Sequence, residues 1–383
     1  MHDAAVVGGG PAGTIAARLL AGGLDVVVLE EHPSSGSPPH CAGLLTDAAI
    51  GMLGARPDVL NRITGADVVF PGGGRLEVRF KGAGAAIIDR AALDRALAEK
   101  AADAGAELRY GVRYTGSRVS DGRVTVSTDK GELESRLLVG ADGHGSRVAE
   151  SLGIGPPREY VRGIQADARR RSGHDDVMTL RLGSEFAPGF FSWEIPFGDM
   201  VRVGLCVNEG AAGTPHMFLK RLLGAAGIDA GDVVAKHAGK IPLGGRPRTY
   251  GERALLIGDA AGQVKPVSGG GLYPICRAAP VLARTAVDAL SDGDTSPRRL
   301  SGYERGWRRE IGRELSRGYR IRGMFTRMSD SDLDKVFAAI DSENVRSVLG
   351  GIDIDRPSGV AGPMLRDPRA CARLLPHVIR GML

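Results

Sequence analysis

The sequence predicts an α/β protein in which a parallel βαβ framework is interrupted by an antiparallel sheet and followed by a helical C-terminal part. Three observations carry that expectation. A strand, a glycine-rich turn, a helix and a second strand ending in an acid occupy residues 3–30. Apolar–polar alternation with a period of two recurs between Val161 and Asn208. A second strand–acid–glycine pattern, ALLIGDAAG, returns at Ala254 to Gly262 ahead of a long helical pattern. The length of 383 residues suits two or three domains and is ample for a large apolar core.

Asp3–Val7 reads as a short apolar strand, GGGPAG at Gly8–Gly13 as a turn, Thr14–Ala21 as a helix and Asp25–Leu29 as the next strand. Gly8 permits the tight turn, Gly10 lets backbone approach a pyrophosphate and Gly13 allows close helix packing, while the helix N-terminus favours negative charge. Glu30 closes the second strand, where a carboxylate suits the ribose hydroxyls of an adenosine and repels a 2′-phosphate. This is a Rossmann-like, dinucleotide-binding start. Ser34–Gly43 (SSGSPPHCAG) reads as a ligand-facing loop that carries His40 and Cys41. Ile87–Asp89 leads into Arg90 and a helix over Ala91–Ala104, with Leu93 and Leu97 at i and i+4. A hairpin over Ser117–Thr128, turning at Asp121-Gly122, precedes the buried strand LLVGADG at Leu137–Gly143.

Between Val161 and Asn208 the runs MTLRL, FFSWEIP and MVRVGLCVN alternate about turn residues, as an inserted antiparallel sheet would. On such a strand Phe191, Trp193 and Ile195 share one face, an apolar wall, and Ser192 and Glu194 the other. After Lys240 the framework resumes with a strand over Ala254–Asp259, a glycine-rich loop and a helix over about Leu272–Leu290. The expected domains are therefore residues 1–155 with 240–290, then 156–239 as the sheet domain with 60–85 as a candidate to join it, then 291–383. Within the last part, Pro297–Phe325 holds nine arginines against three glutamates, a local excess of six positive charges. Tyr303, Trp307, Ile311 and Leu315 recur there at helical spacing. Either this helix lies on an anionic membrane or receives a lipid headgroup, or it packs on the core with a solvated basic face.

Composition narrows the function classes. At 43% hydrophobic and 25% charged residues, neither a disordered chain nor a membrane bundle is indicated. No apolar run reaches the roughly 18–20 residues that span a bilayer, and no secretory leader pattern is present. The expected compartment is cytoplasmic, with a possible peripheral membrane contact. The four cysteines, Cys41, Cys206, Cys276 and Cys371, show no metal-finger spacing, so no metal is expected. No recognised nucleic-acid-binding module accompanies the basic stretch, and nucleic acid is not an expected partner.

The two glycine-acid sites lie far apart in sequence, so one long ligand is expected to join them. FAD fits, with adenosine and pyrophosphate at Gly8 to Glu30, ribityl near Asp259 and the ring system beside Gly269–Leu272. GGGPAG, GADGHGSRV at 140–148 and LLIGDAAG resemble the three motifs of the flavoprotein class that contains para-hydroxybenzoate hydroxylase. Within it, PPHCAG, FFSWEIP and GDAAGQVKPVSGGGLY are most similar to the geranylgeranyl reductase family. That resemblance implies hydrogenation of isolated alkenes in geranylgeranyl chains of a prenyl lipid or prenyl diphosphate, with reduced FAD as hydride source. It implies an external electron donor, whether ferredoxin, a quinol or NAD(P)H. It also implies FAD contacts at Ala12, Gly13, Glu30, Cys41, Gly43, Arg90, the Tyr114 backbone, Asp259, Gly271 and Leu272. The family's lipid-pocket motif YxWxFP stands here as FxWxIP, so Phe191 lacks the tyrosine's hydroxyl, a role that Tyr273 or water would have to fill. Cys41 is a candidate proton relay, or a partner for Cys276, against its reading as a small buried residue. Asp142 and His144 read as support for the cofactor region, and Lys265 and Arg277 as headgroup ligands or solvated surface. The alternatives are a flavin monooxygenase or halogenase, whose strand WxWxIP is comparable, and a flavin-containing lipid-binding or electron-carrying protein.

Overall fold

The computed structural model describes residues 1–39, 41–82, 84–170 and 175–360; His40 and Cys371 lie outside the described residues. A parallel sheet sits at the centre, in the order 254–256, 131–140, 2–7, 26–30, 107–110. The central strand Val26–Glu30 is buried on both faces, and it is accordingly apolar at four of five positions rather than alternating. Helices Pro11–Ala21, Arg90–Asp103 and Leu272–Ser291 cover one face through Ile15, Leu20, Leu97 and Leu282. The hairpin Tyr114–Ser120 and Arg123–Thr128 covers the other, where Tyr114, Val124 and Val126 meet Val27 and Leu29. Asp121 and Gly122 both take positive φ at its turn.

The second sheet has seven strands in the order 233–243, 159–169, 200–208, 191–197, 177–182, 65–69, 75–79. All neighbours are antiparallel except 177–182 with 65–69. Helix Pro215–Ala225 closes one face, packing Phe218, Leu219 and Leu222 on Val203, Leu205 and Val207. The opposite face turns toward the loop that carries Cys41 and toward a small sheet of 44–46, 85–88 and 59–63. Helices Asp330–Ile340 and Glu343–Gly350 cover the far strands through Leu333, Ile340 and Val345.

Two local expectations are corrected, and one open alternative is decided. The first helix starts at Pro11, not Thr14, because proline's fixed φ is suited to a first helical position. The late strand stops at Leu256: Gly258 takes φ +67° and turns the chain, so Asp259 sits on a short 3-10 turn, Gly258–Ala261. In the basic stretch, Tyr303, Trp307 and Ile311 are buried and Leu315 packs beside them, all against the same core as helix Leu272–Ser291. Those apolar side chains build the core and are not available to a membrane. Among the described residues no helix is long and apolar enough to cross a bilayer.

One buried chain of hydrogen bonds ties this C-terminal helix to the glycine-acid turn. Gln263 donates through Nε2 to the Tyr303 hydroxyl at 2.9 Å and accepts from the Gly258 amide at 2.9 Å through Oε1. Tyr303→Phe strands the Gln263 donor in a dry core, which costs about 1–3 kcal/mol. Urea denaturation should show a lower midpoint at unchanged slope; an unaltered midpoint would mean that Gln263 finds another acceptor.

Candidate active site

Among the described residues, two α-helices that start from a loop begin without a capping side chain, at Gly10 and at Gly271; Arg313–Phe325 also lacks one but continues directly from the helical turn Arg308–Gly312. The helices that begin at Asp47, Arg90, Arg147, Pro215, Pro297, Asp330 and Glu343 each have a Ser, Thr or Asp side chain accepting from an amide of the first turn. Uncapped first-turn amides are donors for an anionic ligand. Around Gly10 the space is open, with no atom within 4 Å of where a β-carbon would stand. The neighbouring glycines are enclosed instead. A β-carbon on Gly8 (φ +105°) would lie 2.4 Å from the Ala141 carbonyl oxygen, and one on Gly13 would lie 1.9 Å from that of Gly8. Gly258 meets the first motif directly, since its β-carbon would lie 2.7 Å from that of Ala12. The early and late glycine motifs are thus one structure.

Glu30 is buried at the end of its strand. Its Oε2 accepts from the Gly9 amide at 2.7 Å, and its Oε1 accepts from the His32 amide at 2.8 Å and lies 2.6 Å from His32 Nδ1. Gly9 and His32 were not anticipated from the sequence. Gly9 sits inside the recognised glycine turn, whereas His32 has no motif to mark it.

At the other end of the site, Arg90 opens its helix with Asp89 as the cap and pairs with Asp94 at 3.2 Å. Burial works against the Arg90 charge, but the Cys41 sulfur and the Asp94 carboxylate outweigh it and hold the guanidinium protonated. Burial pushes the Asp259 carboxyl up to about 6, against the pull of Arg90. Gly271 lies beside it, its β-carbon position 3.2 Å from Asp259 Oδ1, and Leu272 is buried behind. Asp259, the uncapped helix N-terminus and Arg90 therefore form one polar group.

The Cys41 loop is pinned to the seven-stranded sheet. Gln165 Nε2 donates to the Cys41 carbonyl at 3.1 Å, and Arg202 Nη1 donates to that of Ala42 at 2.8 Å. Arg202 is itself held by Asp167 through two bonds of 2.7 and 2.8 Å. The Gly43 amide donates to Cys41 Sγ at 3.4 Å, and a β-carbon on Gly43 would strike the Ile88 carbonyl. Gln165, Asp167 and Arg202 were also missed; they lie on the face of the two strands opposite the apolar one formed by Ile164, Ala166, Val203 and Leu205.

Phe191, Trp193 and Ile195 pack on that same sheet face. Trp193 lies over Gly204, whose β-carbon would fall 2.4 Å from the indole ring, and its Nε1 is buried without a hydrogen-bond partner. Phe191 stands edge-on to Trp193 at 6.1 Å and stacks on Phe190 at 4.6 Å. The wall reaches the glycine loop ahead of Leu272, since a β-carbon on Gly269 would lie 3.0 Å from Ile241 and 3.8 Å from Phe190.

Other candidates are placed elsewhere. The Tyr273 side chain is buried in the core beneath the first helix, its hydroxyl accepting from Arg356 Nε at 2.8 Å, and it is not among the residues packed with Phe191 and Trp193. Cys41 and Cys276 are both free thiols, and burial pushes the Cys276 thiol up to about 11, so a disulfide between them is corrected. Lys265 is neither solvated nor free for a headgroup: it is buried and paired with Asp355 at 2.8 Å. Arg277 pairs with Glu310. The Tyr114 hydroxyl bonds to Ser117 and Ser151, which leaves only its backbone for a ligand. Asp142 accepts from Ser146 Oγ and the Val148 amide, a supporting role.

These residues fit FAD: uncapped amides and an open glycine for the diphosphate, Glu30 for the adenosine ribose, Asp259 for the ribityl, and the start of the late helix for the ring. The chain matches the FAD binding domain family over residues 1–314 and belongs to it, which defines a flavoprotein oxidoreductase with FAD as its cofactor. It is 32% identical over 362 residues to the digeranylgeranylglycerophospholipid reductase of Methanothrix thermoacetophila, covering 90% of this chain and 92% of the relative. The chain belongs to that reductase family. A geranylgeranyl bacteriochlorophyll reductase-like structure from Thermoplasma acidophilum has the same fold, at 24% identity and a TM-score of 0.86 over 98% of this chain and 99% of that one. The halogenase PltM, in complex with phloroglucinol and FAD, is more distant at 16% identity and a TM-score of 0.70 over 91% and 82%.

The Asp259 shift has a measurable sign. An ordinary aspartate titrates near 3.8, so a folded value of about 6 means that the carboxylate costs the apoprotein stability as pH rises between those values. Apoprotein of Asp259→Asn should melt above wild type at pH 7.5, with the gap closing toward pH 4, and should bind FAD more weakly. Equal melting at pH 7.5 would show that the site solvates this charge.

Proposed function

We propose that this enzyme hydrogenates isolated carbon–carbon double bonds in geranylgeranyl chains of a membrane-lipid precursor, drawing electrons from an external donor. Reduced FAD, when bound, supplies the hydride. The observation that carries the reading is the apolar wall of Phe191, Trp193 and Ile195, which abuts both the Cys41 loop and the glycine loop ahead of Leu272. An unactivated alkene is a poor hydride acceptor, so the protein must hold the chain in one orientation with the proton source already placed. The wall holds the chain. Cys41, whose loop is anchored by Gln165 and whose sulfur lies near the Arg90 guanidinium, is the candidate proton relay to the second alkene carbon. Phe191 replaces a hydroxyl-bearing residue with a purely apolar one, which leaves Cys41 or water to deliver the proton. Seven of the nine arginines between 298 and 322 are exposed, which supports peripheral contact with an anionic membrane through charge rather than insertion.

Anaerobic mixing of the reduced enzyme with a digeranylgeranyl phospholipid, followed by lipid mass analysis, tests the reaction. The expected gain is two hydrogens per alkene. Trp193→Ala should slow that gain roughly tenfold or more while FAD stays bound. A gain of oxygen or halogen when air and halide are supplied would point to a monooxygenase or halogenase, and flavin reoxidation with no lipid change to an electron carrier.

A further inference from the structure

We infer that Arg322 is a positioning residue for the substrate wall. Alone among the nine arginines of the basic stretch it is buried, at 3% exposure. Its guanidinium reaches in three directions. Nε donates to Glu159 Oε1 at 2.6 Å, Nη1 to the Gly189 carbonyl at 3.0 Å and Nη2 to Asn208 Oδ1 at 2.6 Å. Glu159 and Asn208 lie at adjacent ends of the paired strands Glu159–Arg169 and Met200–Asn208, and Gly189 belongs to the turn that delivers Phe190. The same guanidinium lies 5.1 Å from the centre of the Phe190 ring.

From there the contact passes ring to ring, since Phe190 stacks on Phe191 and Phe191 stands edge-on to Trp193. Phe190 is buried and its ring reaches toward Gly269, so Arg322 supports the wall from behind where the wall meets the glycine loop. An apolar side chain could fill the volume, but only a planar fork ties two strand ends and the turn at once. A lysine keeps the charge and can reach one acceptor, yet it cannot fix all three. Arg322 touches no reacting atom. Its effect is the register of the prenyl chain, which depends on the geometry of Phe191 and Trp193. The C-terminal helix thereby sets part of the substrate specificity.

This inference rests on the prenyl-reductase reading for its substrate, but the wall can be observed independently. The chain has two tryptophans, Trp193 and Trp307, so a Trp307→Phe background leaves Trp193 as the sole indole signal. In that holoenzyme background, Arg322→Met should raise the acrylamide quenching constant of Trp193 at least twofold. The KM for a digeranylgeranyl lipid should rise about fivefold or more, with FAD content unchanged. Arg322→Lys, which retains the ion pair with Glu159, should recover the melting temperature but not the quenching or the KM. If Arg322→Met fails to fold, the lysine variant alone decides. Wild-type quenching and KM in the lysine variant would overturn the inference. A wild-type enzyme that leaves every prenyl lipid unchanged would defeat the functional reading instead, and the Trp193 quenching would still decide the role of Arg322.

Discussion

The architecture depends on a contact too close for any larger residue: the glycine that opens the late turn lies against the methyl group of Ala12, with room for no β-carbon between them. That approach sets the N-terminal end of the first helix beside the Asp259 turn, so one extended ligand can span two motifs that are remote in sequence. It has a second support. The Gly258 amide is held by Gln263, and Gln263 by Tyr303 on the C-terminal helix, so the last part of the chain helps to fix the late motif. Both helix N-termini that face this region lack a side-chain cap, so their first-turn amides have no side-chain acceptor.

The second sheet answers a different requirement. A flavin alone needs no apolar wall, whereas a prenyl chain does. Gln165 and Arg202 carry the coupling between the two halves, because each extends from a sheet strand to a carbonyl of the Cys41 loop. The wall is thus held on one side by the Cys41 loop and on the other by Arg322. Among the described residues that form the wall, the Trp193 indole nitrogen is buried without a hydrogen-bond partner, where the ring packs over Gly204.

Much of this was legible because it is local. The glycine turn with Glu30, the Asp259 motif and the alternation of Phe191, Trp193 and Ile195 each lie within one short window, where spacing alone implies geometry. Contacts set by tertiary return of the chain were not legible. Asp355 and Arg356 come back over the late glycine loop and engage Lys265 and Tyr273, two residues that the sequence left open for substrate. The arginine-rich stretch left two readings open for a related reason. Its amphipathic period is the same whether the apolar stripe meets lipid or core, and only the packing of Tyr303, Trp307 and Ile311 on the helix Leu272–Ser291 decides. Gln165, Asp167 and Arg202 required the register between strands, which no single window contains.

The central claim is that two distant motifs grip one FAD because Gly258 and Ala12 touch. Fluorescence titration of apoprotein with FAD, wild type against Gly258→Val, tests it most directly. The account predicts that the valine variant, which must push the first helix away, binds FAD at least about tenfold more weakly, a loss of about 1.4 kcal/mol. A valine variant that binds FAD as tightly as wild type would contradict it.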